Sequence, residues 1–108
     1  MNISTDGLYF YFIKHENVAS IDLYHKFLNW LSGEFDLHQK DEFDGLKVYY
    51  PEGWLSVKMI NKKDDNVYTE IYVKCKSKKT GLETFQKIES IYCHLMDVYV
   101  KNTFKAII

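Results

Sequence analysis

Polar and apolar residues alternate strictly over residues 67–76. Val67, Thr69, Ile71, Val73 and Cys75 fall on one side, and Tyr68, Glu70, Tyr72, Lys74 and Lys76 on the other. A period of two with β-branched residues on the apolar side predicts a half-buried β-strand. The aromatic run from Leu8 to Lys14, preceded by Asp6-Gly7, predicts a first strand. Leu8, Phe10 and Phe12 are expected toward the core, and Tyr9, Tyr11 and Ile13 outward, because the tyrosine hydroxyls favour the wet face. Two more runs, Leu46 to Tyr50 and Trp54 to Ile60, flank Pro51-Glu52-Gly53. Proline at the second position and glycine at the fourth suit a β-turn, so these runs are expected to form a hairpin. The charged run of residues 61–66 then makes the next reversal into the strand at Val67, giving a three-stranded meander.

The period changes to that of a helix in two places. After a loop at His15-Glu16-Asn17, Ser20 can cap a helix running to about Gly33. Its stripe is Leu23, Tyr24, Phe27, Leu28, Trp30 and Leu31, with His25, Lys26 and Asn29 opposite, and Asp22 lies in the favourable first turn. Further on, Thr80-Gly81-Leu82-Glu83 matches the S/T-x-x-E capping box and predicts a second helix starting at Thr80. Leu82, Phe85, Ile88, Ile91, Tyr92, Leu95, Met96, Val98 and Tyr99 carry its periodicity to about Lys101. Between hairpin and first helix, residues 34–45 form an acidic connector with room for a short strand, anchored by Phe35, Leu37 and Phe43. Residues 103–108 are apolar enough to dock or to add an edge strand.

The expected fold class is therefore α+β. It has a single antiparallel sheet of about four strands, two helices packed on one face, and the order β-α-β-β-β-α. With both helices on one face, the other face of the sheet is left open. The 108 residues suffice for one domain, 1–108, with no internal repeat, linker or low-complexity tract.

Composition narrows the function classes. The 46% of hydrophobic residues, with 17% aromatic, supply a core, while 14 basic and 15 acidic side chains leave a net charge of −1. Such a balance argues against the global attraction of a dedicated nucleic-acid binder, so any such binding would come from a local patch. The start of the chain has neither the basic residues nor the apolar run of a signal peptide, and no apolar stretch approaches the roughly 20 residues that span a bilayer. A cytoplasmic protein with no membrane partner is expected. Cys75 and Cys93, one in a strand and one in a helix, are expected as two buried free thiols.

The unusual feature is the outer face of the sheet. It collects Tyr9, Tyr11, Lys47, Tyr49, Trp54, Ser56, Lys58, Tyr68, Glu70, Tyr72, Lys74 and Lys76, where threonine, lysine and glutamate are the norm. Cross-strand aromatic and Tyr-Lys pairs can simply stabilise an exposed sheet, or the connector and tail can cover it. The functional reading is a partner-binding surface of Tyr49, Trp54, Lys58, Tyr68, Tyr72, Lys74 and Lys76, since tyrosine and tryptophan supply rigid contact area and are enriched at hot spots. Lysines interleaved with aromatics also suit the stacking of unpaired bases. The chain has no arginine to read a base edge, however, and Asp64, Asp65 and Glu70 dilute the lysines at 62, 63, 74, 76, 78 and 79.

Catalytic and metal chemistry find little footing. His38, Asp41, Glu42 and Asp44 crowd one loop but lack the fixed spacing of a metal site, so neither a metal nor another cofactor is expected. Neither cysteine has the exposed, electropositive setting that activates a thiol. The chain has no G-x-S-x-G, H-E-x-x-H or glycine-rich phosphate loop, and an enzyme is not expected.

Two short resemblances bear on this. Asp44-Gly45-Leu46-Lys47-Val48, Gly53-Trp54, Ile71-Tyr72-Val73 and Lys76-Ser77 are together similar to the C-terminal β-β-β-α domain of phosphohexomutases, over about a third of the chain. The Ser/Gly/Thr-rich loop that grips a sugar phosphate there is replaced here by residues 61–66, so neither that site nor its activity carries over. The α-β-β-β-α order, with Ser77-Lys78-Lys79 opening the last helix, also resembles a double-stranded RNA-binding domain, whose lysines at that place meet phosphates. The Gly-Pro-x-His loop of that family is here Tyr50-Pro51-Glu52-Gly53-Trp54. The expectation from the whole sequence is a small non-enzymatic protein-binding module, such as an immunity protein, toxin neutraliser or phage-type inhibitor. Its partner would be another protein, a toxin or a host enzyme. The alternatives are an RNA-binding module, single- or double-stranded, using the same face, and a homodimer through it.

Overall fold

The computed structural model describes residues 2–36 and 38–101, the side chains of Val100 and Lys101 excepted. Among the described residues the chain forms six strands and two α-helices. They are β1 (Asn2–Asp6), β2 (Tyr9–Val18), α1 (Ile21–Glu34), β3 (Gln39–Asp41), β4 (Leu46–Tyr50), β5 (Gly53–Lys63), β6 (Asn66–Cys75) and α2 (Lys78–Met96), followed by a π-helical turn, Asp97–Lys101. All six strands join one antiparallel sheet in the order β1-β2-β6-β5-β4-β3. The expected α+β class and single sheet hold, but the order is β-β-α-β-β-β-β-α, and the sheet has six strands rather than about four.

Both additional strands are at the edges. β1 precedes the expected first strand and folds back on it through Gly7-Leu8; all five of its residues are exposed, so no apolar pattern betrays it. Leu8, expected in the core, is therefore in a turn and 77% exposed. β3 is the short strand for which the connector had room. Phe35 anchors that connector as expected, whereas Phe43 is 96% exposed. Leu37 and residues 103–108 lie outside the described residues.

His15-Glu16-Asn17, expected as a loop, continues β2, paired with Glu70, Thr69 and Tyr68 of β6. The polarity that suggests a loop has another cause. Lys14 and Glu16 share the helix-covered face, and the Lys14 ammonium bridges Glu16 at 2.8 Å and Glu89 of α2 at 3.0 Å. A paired charge is tolerated at that margin of the core without interrupting the ladder.

The helices pack on the face formed by Phe12, Val48, Leu55, Val57, Ile71 and Val73, with Phe27, Leu31, Phe85, Ile88 and Leu95 pointing down onto it. All of these are fully or almost fully buried. A Cβ on Gly81 would lie 2.5 Å from the Phe12 ring and 3.2 Å from the Cys75 Cβ, so glycine lets the first turns of α2 approach the sheet. Ser20 caps α1 as expected, its hydroxyl accepting from the Leu23 amide. The capping box at Thr80 does not form. Ser77 is the cap, its hydroxyl accepting from the Thr80 amide at 3.2 Å, and α2 starts at Lys78. Cys75 is buried and free; Cys93 is free but exposed, contrary to expectation. No helix among the described residues is long and apolar enough to cross a membrane.

Candidate functional site

The register fixes which side chains share the outer face, because directly paired residues of an antiparallel ladder point the same way. One row reads Ser4, Tyr11, Lys74, Trp54, Tyr49 and Gln39 across the six strands. The next reads Asn2, Ile13, Tyr72, Ser56, Lys47 and Asp41. Beyond them lie His15, Glu70 and Lys58, and then Asn17, Tyr68 and Asn61. Both helices pack on the opposite face, and among the described residues no helix or strand overlies these rows.

The two long rows interlock diagonally. The Tyr72 ring lies 4.8 Å from Trp54 on one side and 5.9 Å from Tyr11 on the other, both tilted. The Lys47 ammonium sits 4.1 Å above the Trp54 ring and 5.0 Å from Tyr49. At the other end the Lys74 ammonium sits 4.4 Å above Tyr9 and 5.6 Å from Tyr11, and Lys76 approaches Tyr9 at 5.8 Å. The result is a continuous ladder with three rings at its centre and lysine-ring contacts at both ends: Tyr49, Lys47, Trp54, Tyr72, Tyr11, Lys74, Tyr9, Lys76. Each cation finds the negative face of a π-system, worth about 0.5–1 kcal/mol at an exposed site.

Electrostatics follow from the same positions. Across the four central strands and the residue after β6, Lys47, Lys58, Lys63, Lys74 and Lys76 share the face with one carboxylate, Glu70, while Asp6 and Asp41 stand at the two edges and Asp44 flanks Lys47 and Lys58. A chain of net charge −1 thus carries a locally positive face. Burial among its neighbours, with lesser contributions from Tyr11 and Glu70, raises the Tyr72 pKa, so its hydroxyl stays neutral and available as a hydrogen-bond donor.

Of the residues expected to bind a partner, Tyr49, Trp54, Tyr72, Lys74 and Lys76 come together in the ladder. Lys58 sits one row away, opposite Glu70, and lines a shallow hollow of about 210 Å³ with Lys47, Trp54, Ser56, Asp41, Phe43 and Asp44. Tyr68 stands apart, its ring stacked on His15 at 5.2 Å, and His15 in turn reaches Glu70 at 3.4 Å. Lys47, Tyr9 and Tyr11 are as central to the ladder as the residues singled out from sequence. The polar run at residues 15–17 hides His15, though the alternation Tyr9, Tyr11, Ile13, His15 points to it. Phe43, fully in solvent at the rim of the hollow, carries no signal that separates it from a core anchor.

Fold and site together define an α+β protein with one helix-covered and one exposed, lysine-aromatic sheet face. No protein-family model matches the chain, and a comparison with curated proteins finds no match.

Proposed function

We propose that the protein is a binding module whose lysine-aromatic sheet face docks on an acidic surface of another protein, in the manner of an immunity protein, toxin neutraliser or inhibitor. The ladder from Tyr49 to Lys76 carries this reading. Its rings and ammonium groups already hold one another in place, so little side-chain entropy is left to lose on docking, and rigid aromatic area converts efficiently into affinity. The excess of lysine over Glu70 favours a carboxylate-rich partner and speeds encounter with it.

The same geometry favours a protein over single-stranded nucleic acid. Stacking platforms present ring faces free to receive a base. Here Tyr72 is wedged between Trp54 and Tyr11, and Lys47 and Lys74 lie over rings. An affinity capture from lysate of the native host tests the proposal, with wild type, Trp54→Ala, Lys74→Glu and, on the far side of α2, Gln86→Ala as bait. A protein retained by wild type and by Gln86→Ala but lost by the two face variants supports it. Retention by all four baits refutes it, and binding of single-stranded RNA that weakens steeply with salt would favour the nucleic-acid reading instead.

A further inference from the structure

We propose that β1 is a self-association edge, through which two copies of the chain pair antiparallel about a two-fold axis at Ser4. The two margins of the sheet are not alike. β3 has three residues, and its middle one is Lys40, whose ammonium is held by the Ser32 carbonyl at 3.0 Å. A short strand bearing a central lysine is a guarded edge, since pairing it with itself would place Lys40 against Lys40. β1 has five residues, Asn2-Ile3-Ser4-Thr5-Asp6, with no lysine or proline and an unbroken register against β2. Among the described residues nothing pairs with its other side. It therefore offers a row of backbone donors and acceptors with no lysine, proline or bulge to discourage another strand.

The occupant is argued from the sequence of the edge itself. An antiparallel register centred on Ser4 is the one self-pairing about a central residue that matches all five positions. It puts Ser4 opposite Ser4, Ile3 opposite Thr5 and Asn2 opposite Asp6. No like charges meet, the only charged side chain faces an amide, and Ile3, 43% exposed in the single copy, gains a β-branched neighbour. A two-fold axis perpendicular to the sheet keeps both outer faces on the same side, so the described strands of the pair would form one twelve-stranded sheet, six from each copy. The lysine-aromatic ladders would then lie side by side across the seam, Tyr11 of each copy being paired to its own Ser4. The inference does not depend on what that face binds, but it would make any such binding bivalent.

Strand pairing over five residues buries less than the roughly 1,200 Å² of a stable interface, so the association is weak and is sought at about 1 mM chain. Sedimentation equilibrium of the full chain is expected to show a monomer–dimer equilibrium at that concentration. Ser4→Lys and Ser4→Glu, both at an exposed position and both checked for an unchanged circular dichroism spectrum, should each weaken it about fivefold by setting like charges across the axis. An equimolar mixture of the two should recover association at or above the wild-type level, because the heterodimer replaces repulsion with attraction. A wild-type chain that stays monomeric at about 1 mM overturns the proposal and leaves the edge to an extended segment of another protein. Variants that associate as wild type does, or a mixture no stronger than either variant alone, also overturn it. So does a dimer abolished by Tyr72→Ala and indifferent to Ser4→Lys, which would be a face-to-face dimer.

Discussion

Removing the ring of Tyr72 tests whether the outer face is one packed surface or a set of separate side chains. The Tyr72 ring is the link between the Trp54 end and the Tyr11 end, at 4.8 Å and 5.9 Å. An aromatic pair contributes about 0.5–1.5 kcal/mol beyond area burial, so Tyr72→Ala should cost about 1–3 kcal/mol through its two pairs. With a urea slope of about 1–3 kcal/mol per molar for a chain of this size, the unfolding midpoint should fall by roughly 1 M at unchanged slope. Tyr72→Phe keeps both ring contacts and should stay within about 0.5 kcal/mol of wild type. A double-mutant cycle with Trp54→Ala isolates the direct term, expected at about 0.5–1.5 kcal/mol. A coupling below about 0.3 kcal/mol, within the additivity of independent sites, would show that the two rings are neighbours without being partners. The preorganised face on which the proposed function rests would then be lost as well.

The remaining expectations concern the frame that holds the face. Ser77→Ala should cost about 1 kcal/mol and Thr80→Ala much less, since the Ser77 hydroxyl is the cap; chemical denaturation of both variants decides it, and the reverse ranking would move the start of α2. A Cβ on Gly53 would lie 1.8 Å from the Lys74 carbonyl oxygen, so Gly53→Ala should lower stability by about 3 kcal/mol or more, read as a fall in thermal midpoint. Burial raises the pKa of Tyr24, Tyr50, Tyr72 and Tyr92 above the ordinary value near 10. These groups ionise first in the unfolded chain, so their contribution is complete below pH about 10 and is lost as pH rises beyond it. Urea midpoints between pH about 8 and 11 should show that decline, and Tyr50→Phe should make it shallower; equal slopes would refute the assignment. An aromatic disulfide reagent should titrate one thiol, Cys93, in the native chain and two after denaturation.

How far the fold is legible in the sequence depends on whether a segment's environment is written in its own residues. β6 is read correctly because it is central, with one face under the helices and the other outside, so its alternation records both. β1 has no buried face; pairing with β2 makes it a strand, and nothing in Asn-Ile-Ser-Thr-Asp distinguishes it from a loop. The stretch at His15 is misread for the opposite reason. A strand was masked by an ion pair whose second partner, Glu89, lies on a helix more than seventy residues away. The cap of α2 is ambiguous locally because Ser77 and Thr80 are both competent. The decision falls to the backbone, which is already helical at Lys78.

The outer face is legible in composition but not in arrangement. Alternation alone puts Tyr9, Tyr11, Lys47, Trp54, Tyr72 and Lys74 on one surface, yet it cannot say which strands adjoin. The hairpin at Pro51-Glu52-Gly53 already sets the strand of Lys47 beside that of Trp54, but without the adjacency of β2 and β6 there is no reason to place Tyr11 next to Tyr72. β2 pairs with β6 across the 47 intervening residues 19–65, setting the second strand's aromatics beside the last strand's. The same pairing excludes Tyr68 from the ladder: it sends that residue to the row of Asn17 and Asn61, where His15 is the ring within reach. Tyr68→Ala should therefore leave the Tyr72–Trp54 coupling unchanged within about 0.3–0.5 kcal/mol, whereas Tyr11→Ala, at a neighbour of Tyr72, should shift it. If Tyr68→Ala proved the more disruptive of the two in that cycle, the face would have to be divided along a different line.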